Sequence, residues 1–259
     1  MNKHIFCDLD GTLLINFKEI LDEDIEALLK AQKNGYTISI ATGRLDYEIK
    51  MLMQKYGFHG YRISQNGAIV FDDNDELIYE KTLEEKDVIT ILEALQGQNI
   101  IVFFQTIDSY FIEKKLPIVK KFEKSQQYIK YIEKPNIMNE LNNYHFTAIS
   151  IWAEENDNIN IKMQLDKVLP KHIESYISSK YTIDITSRDN SKGMAISELC
   201  KVKGISLDDI VVIGDSQNDI SMFNITSNSF VMAQADSFVK SKAKNVVQSV
   251  KDVVKILMG

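Results

Sequence analysis

The chain is poor in cysteine, with two in 259 residues, and Cys7 and Cys200 stand too far apart in sequence for a metal-ligand or redox pair. A disulfide framework is excluded, and both residues read as free thiols of a reducing cytosol. No cluster of lysine or arginine and no aromatic RNA-binding motif interrupts the sequence, and 37 acidic residues against 30 basic ones leave a net charge of −7. Nucleic acid is therefore not an expected partner. No apolar run approaches the length of a membrane span, and MNKHIF leads directly into a first strand, so neither a membrane segment nor a signal peptide is expected. The expected location is the cytoplasm. Low-complexity segments and internal repeats are missing too, and the four histidines are scattered outside any motif.

What is present is an ordinary globular composition, 44% hydrophobic and 26% charged, at a length that suits one large domain or two smaller ones. After the opening strand, DEDIEALLKAQKNG places Ile25, Leu28 and Leu29 on one helical face, with acids in the first turn and Gly35 at the end. YTISIA then reads as a strand and LDYEIKMLMQKYG as a second helix. Strand, helix, strand with short connections implies right-handed crossovers and a parallel sheet. The same style returns late, in KGMAISELCKVKG, DIVVIG, NDISMFN, SFVMA and SVKDVVKIL. Between these ends the segments NIIVFF, SYFIE, YHFTAISIW, HIESYIS and YTIDI are β-like and aromatic-rich, interleaved with the helical EKDVITILEAL and NIKMQLDKVL. Residues 82–185 are read as an inserted α+β domain, with 1–81 and 186–259 forming the discontinuous α/β core.

Four polar clusters fall at or near the carboxyl ends of strands, where sites form in parallel α/β sheets. IFCDLDGTLL carries Asp8 and Asp10 one residue apart; strand alternation puts them on one face, where they repel. Thr42 and Gly43 follow the second strand, Lys192 precedes a late helix, and GDSQND runs from Gly214 to Asp219 after a late strand. Each alone is explained as a turn, a cap or a solvated charge. Their order and spacing together point elsewhere. Asp8, Asp10, Asp215 and Asp219 gathered in one crevice require protonation or a cation, and an all-oxygen donor set without a Cys or His cluster favours Mg²⁺ over zinc.

DLDGT, ATGR, Lys192-Gly193 and GDSQND resemble, in order, the four motifs of the haloacid dehalogenase superfamily of phosphohydrolases. The long insertion looks like the cap of its Cof-type subfamily, and SQNGA at Ser64–Ala68 is similar to a segment common there. The resemblance implies a Rossmann-like parallel-sheet core with an inserted α+β cap. It also implies Asp8 as nucleophile, forming an aspartyl-phosphate, and Asp10 as general acid and then base. Thr42, backbone amides near Leu9 and Gly43, and Lys192 would hold the phosphoryl oxygens, with Asn218 also reaching the phosphate. Mg²⁺ would be held by the Asp8 side chain, the Asp10 carbonyl and Asp215, with Asp219 orienting a metal-bound water. Gly11 and Thr12 support the turn. Arg44 is open between a leaving-group contact and an exposed loop residue, and Asn66 between a turn residue and a lining residue of the crevice. Ala233 and Gln234 depart from the pattern, standing where the subfamily shows Gly and Asn.

The expected activity is a Mg²⁺-dependent phosphatase acting on a small phosphorylated metabolite, a sugar phosphate or a phosphorylated cofactor. The alternatives are a phosphomutase, which returns the phosphoryl group to a bound sugar, and a non-catalytic protein that binds a phospholigand. Completeness of the motif set favours catalysis. The oligomeric state is open between monomer and homodimer.

Overall fold

The computed structural model describes residues 3–14, 19–125 and 130–259. Residues 1–2, 15–18 and 126–129, which fall within the segments outlined above, lie outside the described residues. Packing divides the chain into two compact units, Met1–Glu80 with Asn190–Gly259, and Lys81–Asp189. In chain order the first unit begins with β1 (Lys3–Cys7), α1 (Asp22–Lys33), β2 (Tyr36–Ala41), α2 (Asp46–Tyr56), β3 (Arg62–Ser64), β4 (Ile69–Phe71) and β5 (Leu77–Glu80). The second unit holds α3 (Glu85–Ala94), β6 (Ile101–Gln105), β7 (Tyr110–Ile112), α4 (Pro117–Ser125), β8 (Tyr131–Glu133), β9 (Ala148–Trp152), α5 (Glu155–Val168), β10 (Ile173–Ser179) and β11 (Thr182–Ser187). The chain then returns through α6 (Lys192–Lys203), β12 (Ile210–Gly214), α7 (Ile220–Phe223), β13 (Ser229–Met232), α8 (Ser237–Lys240), β14 (Asn245–Val247) and α9 (Val250–Met258).

The first unit is a sheet of order β14-β13-β12-β1-β2-β3-β4-β5. Every pairing from β14 to β3 is parallel. Its central strands are apolar at successive positions because both faces are covered. Ile5 and Cys7 face one core with Leu28, Ile49, Met53 and Val253, while Phe6 faces the other with Ile196, Leu199 and Phe223. The two helical layers are thus specified by alternate residues of one strand. The edge differs from the parallel expectation. β4 pairs antiparallel with both β3 and β5, and Asp72 Oδ1 accepts the backbone N–H groups of Asn74 and Glu76, each at 2.9 Å, to close the turn between β4 and β5. A local turn made by DDND supplies that reversal.

The second unit is a sheet of order β10-β11-β9-β6-β7-β8, packed through Phe104, Ile149, Ile151 and Ile183 onto α3 and α5. Lys81 pairs with Asp189 at 3.4 Å at its two ends. Cys7 and Cys200 are free and buried. Among the described residues, no helix is long and apolar enough to cross a membrane.

Candidate active site

β12, β1 and β2 are neighbours in the sheet, so their carboxyl ends bring Asp215, Asp8 and Thr42 to one edge. β1 ends at Cys7, one residue before the first carboxylate, although the Asp8 N–H still bonds the Ile213 carbonyl at 2.9 Å. Beyond it the chain coils: Leu9 O accepts the N–H groups of Thr12, Leu13 and Leu14. Asp8 and Asp10 therefore do not share a strand face, and the repulsion expected from strand alternation is relieved. Each has its own cation. Lys192 Nζ donates to Asp8 Oδ1 at 2.6 Å, and Arg44 grips Asp10 with Nη2 on Oδ1 at 2.6 Å and Nε on Oδ2 at 2.8 Å.

Lys192 opens α6, whose start is set by Ser191, an N-cap that accepts the Met194 N–H at 3.2 Å. Its side chain is fully buried and also donates to Asp219 Oδ1 at 2.7 Å. The other Asp219 oxygen accepts the N–H groups of Asp215 and Ser216 at 2.9 and 3.0 Å. Asp219 thus holds both the ammonium and the loop that carries Asp215. Asp215 in turn accepts a hydrogen bond from the Thr12 hydroxyl at 2.8 Å. Thr12, read from sequence as a prop for its own turn, instead ties that turn to a residue 203 positions away. Gly11 is required between them: it has φ +92°, and a Cβ there would stand 2.4 Å from Asp215 Oδ2.

The electrostatics follow from burial. Desolvation, reinforced by Asp219 and Asp215 and opposed by Lys192, pushes the Asp8 carboxyl up to about 8. Burial works against the Lys192 ammonium, but Asp219 and Asp8 outweigh it and hold its pKa above the usual lysine value. Burial also raises Asp215, against the Thr12 hydrogen bond. One oxygen from each of Asp8, Asp215 and Asp219 lies within 4.8 Å of the others. A single ammonium among three carboxylates leaves the cluster short of positive charge. A hard divalent ion such as Mg²⁺ would supply it, and the all-oxygen donor set fits such an ion. The Asp10 carboxylate is not part of this cluster, which leaves its backbone carbonyl for the role expected of it.

Thr42 is buried; its Oγ1 accepts the Arg44 N–H at 3.4 Å and its carbonyl accepts the Asn66 N–H at 2.9 Å. Leu9 is buried, and Gly43 lies against the Asn66 amide, where a Cβ would meet Nδ2 at 3.3 Å. The Asn218 amide is held at both ends, by Ser216 Oγ at 2.6 Å and by Asn66 Oδ1 at 2.9 Å. Arg44 is not an exposed loop residue: its side chain is 21% exposed and reaches Glu48 Oε2 at 3.4 Å as well as Asp10. Sequence reasoning passed over Glu48, which is buried, has its carboxyl raised by burial, and keeps Oε1 without a hydrogen-bond partner. The i, i+4 spacing of Arg44 and Glu48 was the available signal. Gln234, at the departure from the subfamily pattern, donates through Nε2 to the Gly11 carbonyl at 2.7 Å.

Comparison with known proteins gives the family of the chain. A family model described as haloacid dehalogenase-like hydrolase matches residues 5–257. The phosphatase YwpJ of Bacillus subtilis is 26% identical over 274 residues, covering 94% of either chain. The pyridoxal phosphate phosphatase YbhA of Escherichia coli is 28% identical over 264 residues, covering 94% of this chain and 92% of its own. The crystal structure of a haloacid dehalogenase-like hydrolase from Bacteroides thetaiotaomicron superposes over 100% of both chains with a TM-score of 0.89 at 23% identity. With the motifs gathered at one sheet edge and the match running from the first strand to the last helix, the chain belongs to the haloacid dehalogenase-like hydrolase family and is an enzyme of it.

Proposed function

We propose that the enzyme is a phosphatase that moves the phosphoryl group of a small phosphorylated metabolite first to Asp8 and then to water. The observation that carries this reading is Lys192, fully buried and bonded to Asp8 at 2.6 Å and to Asp219 at 2.7 Å. A buried ammonium shared between two carboxylates is costly as a mere stabilising pair, and well suited to a site that receives a phosphoryl group. The names of the relatives support the substrate class, one of them being a phosphatase of pyridoxal phosphate.

In the first half-reaction an Asp8 oxygen attacks phosphorus, the ester P–O bond breaks, and Asp10 gives its proton to the departing oxygen. In the second, Asp10 takes a proton from the attacking water, the bond between phosphorus and Asp8 breaks, and the carboxylate is restored with release of phosphate. Arg44 fixes where the Asp10 carboxyl points through its two hydrogen bonds. Thr42, the backbone N–H groups of Leu9 and Gly43, Asn218 and Lys192 hold the oxygens on which charge accumulates. Asp8, Asp215 and the Asp10 carbonyl would hold Mg²⁺, with Asp219 behind them; when bound, the ion neutralises the phosphoryl oxygens and favours the ionised form of Asp8. Choice of leaving group is assigned to the inserted unit, Lys81–Asp189.

The test is phosphate release from a panel of sugar phosphates, nucleotides, pyridoxal phosphate, flavin mononucleotide and p-nitrophenyl phosphate, with Mg²⁺ and with a chelator. Release that needs the ion and falls at least about a thousandfold in Asp8→Asn is expected. Isomer interconversion without net phosphate would replace this reading by a phosphomutase. Phosphate release retained by Asp8→Asn would end the aspartyl-phosphate mechanism.

A further inference from the structure

The turn at Gln65–Gly67 is out of keeping with its surroundings. Among the described residues the non-glycine positions with positive φ are Gln65 at 50°, Asn66 at 56° and Asp75 at 64°, and two of them are consecutive here, followed by Gly67 at 105°. Left-handed backbone at a non-glycine residue carries a cost, and two in a row persist only where the surroundings over-determine them. The surroundings are the site. The Gln65 N–H bonds the Arg44 carbonyl at 2.9 Å, and the Asn66 N–H bonds the Thr42 carbonyl at 2.9 Å. Asn190 Nδ2 donates to the Gln65 carbonyl at 3.3 Å, two residues before Lys192. Gly67 lies so close to Ser191, the cap of the helix that carries Lys192, that a Cβ would stand 2.4 Å from its carbonyl oxygen. Asn66 Oδ1 accepts from Asn218 Nδ2 at 2.9 Å.

One turn thus meets the segments that carry Thr42 and Arg44, Lys192, and Asn218. We infer that it is a fifth component of the phosphoryl site and that Asn66 is a positioning residue, acting through Asn218 by its amide and through Thr42 by its backbone. This rests on the phosphatase reading above. Glycine would take this positive φ at least cost. Asparagine tolerates the same backbone and adds an amide oxygen, and that oxygen is spent on Asn218.

The substitution Asn66→Gly separates the two roles, because it keeps the backbone conformation and the N–H to Thr42 while deleting the amide. Turnover of p-nitrophenyl phosphate with Mg²⁺, orthovanadate affinity and Tm are measured on the full chain, Asn66→Gly, Asn218→Ala and the double variant. Expected for Asn66→Gly is a loss of about tenfold in kcat/KM and in vanadate affinity with a Tm that does not fall. The double variant should be no worse than Asn218→Ala, since the amide acts through that residue. Activity of Asn66→Gly within about twofold of the unaltered chain, or losses that multiply in the double variant, would overturn the inference. If the unaltered chain turns over no phosphoester yet binds vanadate, the phosphatase reading fails while the vanadate affinities still decide the role of Asn66. Absence of vanadate binding by the unaltered chain overturns both.

Discussion

Replacing Lys192 by methionine tests whether the buried ammonium is what makes the carboxylate cluster tolerable. The side chain is fully buried between Asp8 and Asp219, whose own side chains are 5% and 0% exposed. Removing one partner of a buried ion pair costs about 3–5 kcal/mol, because the charge left behind is uncompensated. Two features of the structure place this case at the lower end. Asp219 retains the N–H groups of Asp215 and Ser216 on its second oxygen. Asp8, already pushed up to about 8 with the ammonium present, goes higher without it and is held as the neutral acid at pH 7, so no buried anion is left at that position. A loss of about 3 kcal/mol follows, or a Tm lower by roughly 6–12 °C at about 2–4 °C per kcal/mol. The assay is thermal unfolding in a chelator at pH 7. The sign of the pH dependence is fixed by linkage: the folded variant binds a proton at Asp8 that the unfolded chain binds only near pH 4, so its stability rises as pH falls from the folded value toward about 4. Adding Asp8→Asn to Lys192→Met should cost little more, since asparagine stands in for the protonated acid. A single variant that melts within about 2 °C of the parent, or a double variant whose losses add, would refute the reasoning.

The same raised Asp8 governs metal binding: the proton must leave before the carboxylate binds Mg²⁺, so the Tm gain from a fixed Mg²⁺ concentration should be larger at pH 8 than at pH 6, and a gain that is flat or falls with pH contradicts the assignment. Asp10→Asn should lower kcat by about 10²–10⁴, and Arg44→Ala should cost nothing further in that background, because Arg44 acts by orienting Asp10; steady-state kinetics of the single and double variants decide. Gly11→Ala forces a Cβ to within 2.4 Å of Asp215 Oδ2 and should abolish both turnover and the Mg²⁺-dependent rise in Tm while the circular dichroism spectrum stays that of the parent. A retained Mg²⁺ response in that variant would show that Asp215 is not where the ion binds.

The parallel part of the core was legible because its signals are local. Ile5, Phe6 and Cys7 form a continuous apolar run, and such a run flanked by helical periodicity reads as a strand covered on both faces. The antiparallel edge was not legible in the same way, since β4 and β5 are three and four residues long and their reversal depends on the Asp72 side chain accepting two backbone N–H groups. Nothing in a hydropathy pattern records that. The motif residues were legible as types and order, and the sheet explains why they converge: β12, β1 and β2 are adjacent although their ends stand at residues 214, 7 and 41.

What sequence spacing misread was the relation of Asp8 to Asp10. Two carboxylates one residue apart looked like a repulsive pair, to be relieved by protonation or by a cation. The fold divides the problem between two cations that lie 184 and 34 residues away, Lys192 for Asp8 and Arg44 for Asp10. Only the first carboxylate is then left to the cluster with Asp215 and Asp219. This division matters chemically, because a nucleophile and an acid-base group must be tuned apart, and two carboxylates sharing one counter-ion would titrate as a pair. Gln234 belongs to the same logic. Where the subfamily pattern has Gly and Asn, the chain has Ala233 and Gln234, and Gln234 donates an amide N–H to the carbonyl of Gly11, the residue after the second carboxylate. The departure from the motif therefore changes the residue while a polar tie to the loop that keeps Asp8 and Asp10 on separate partners is in place.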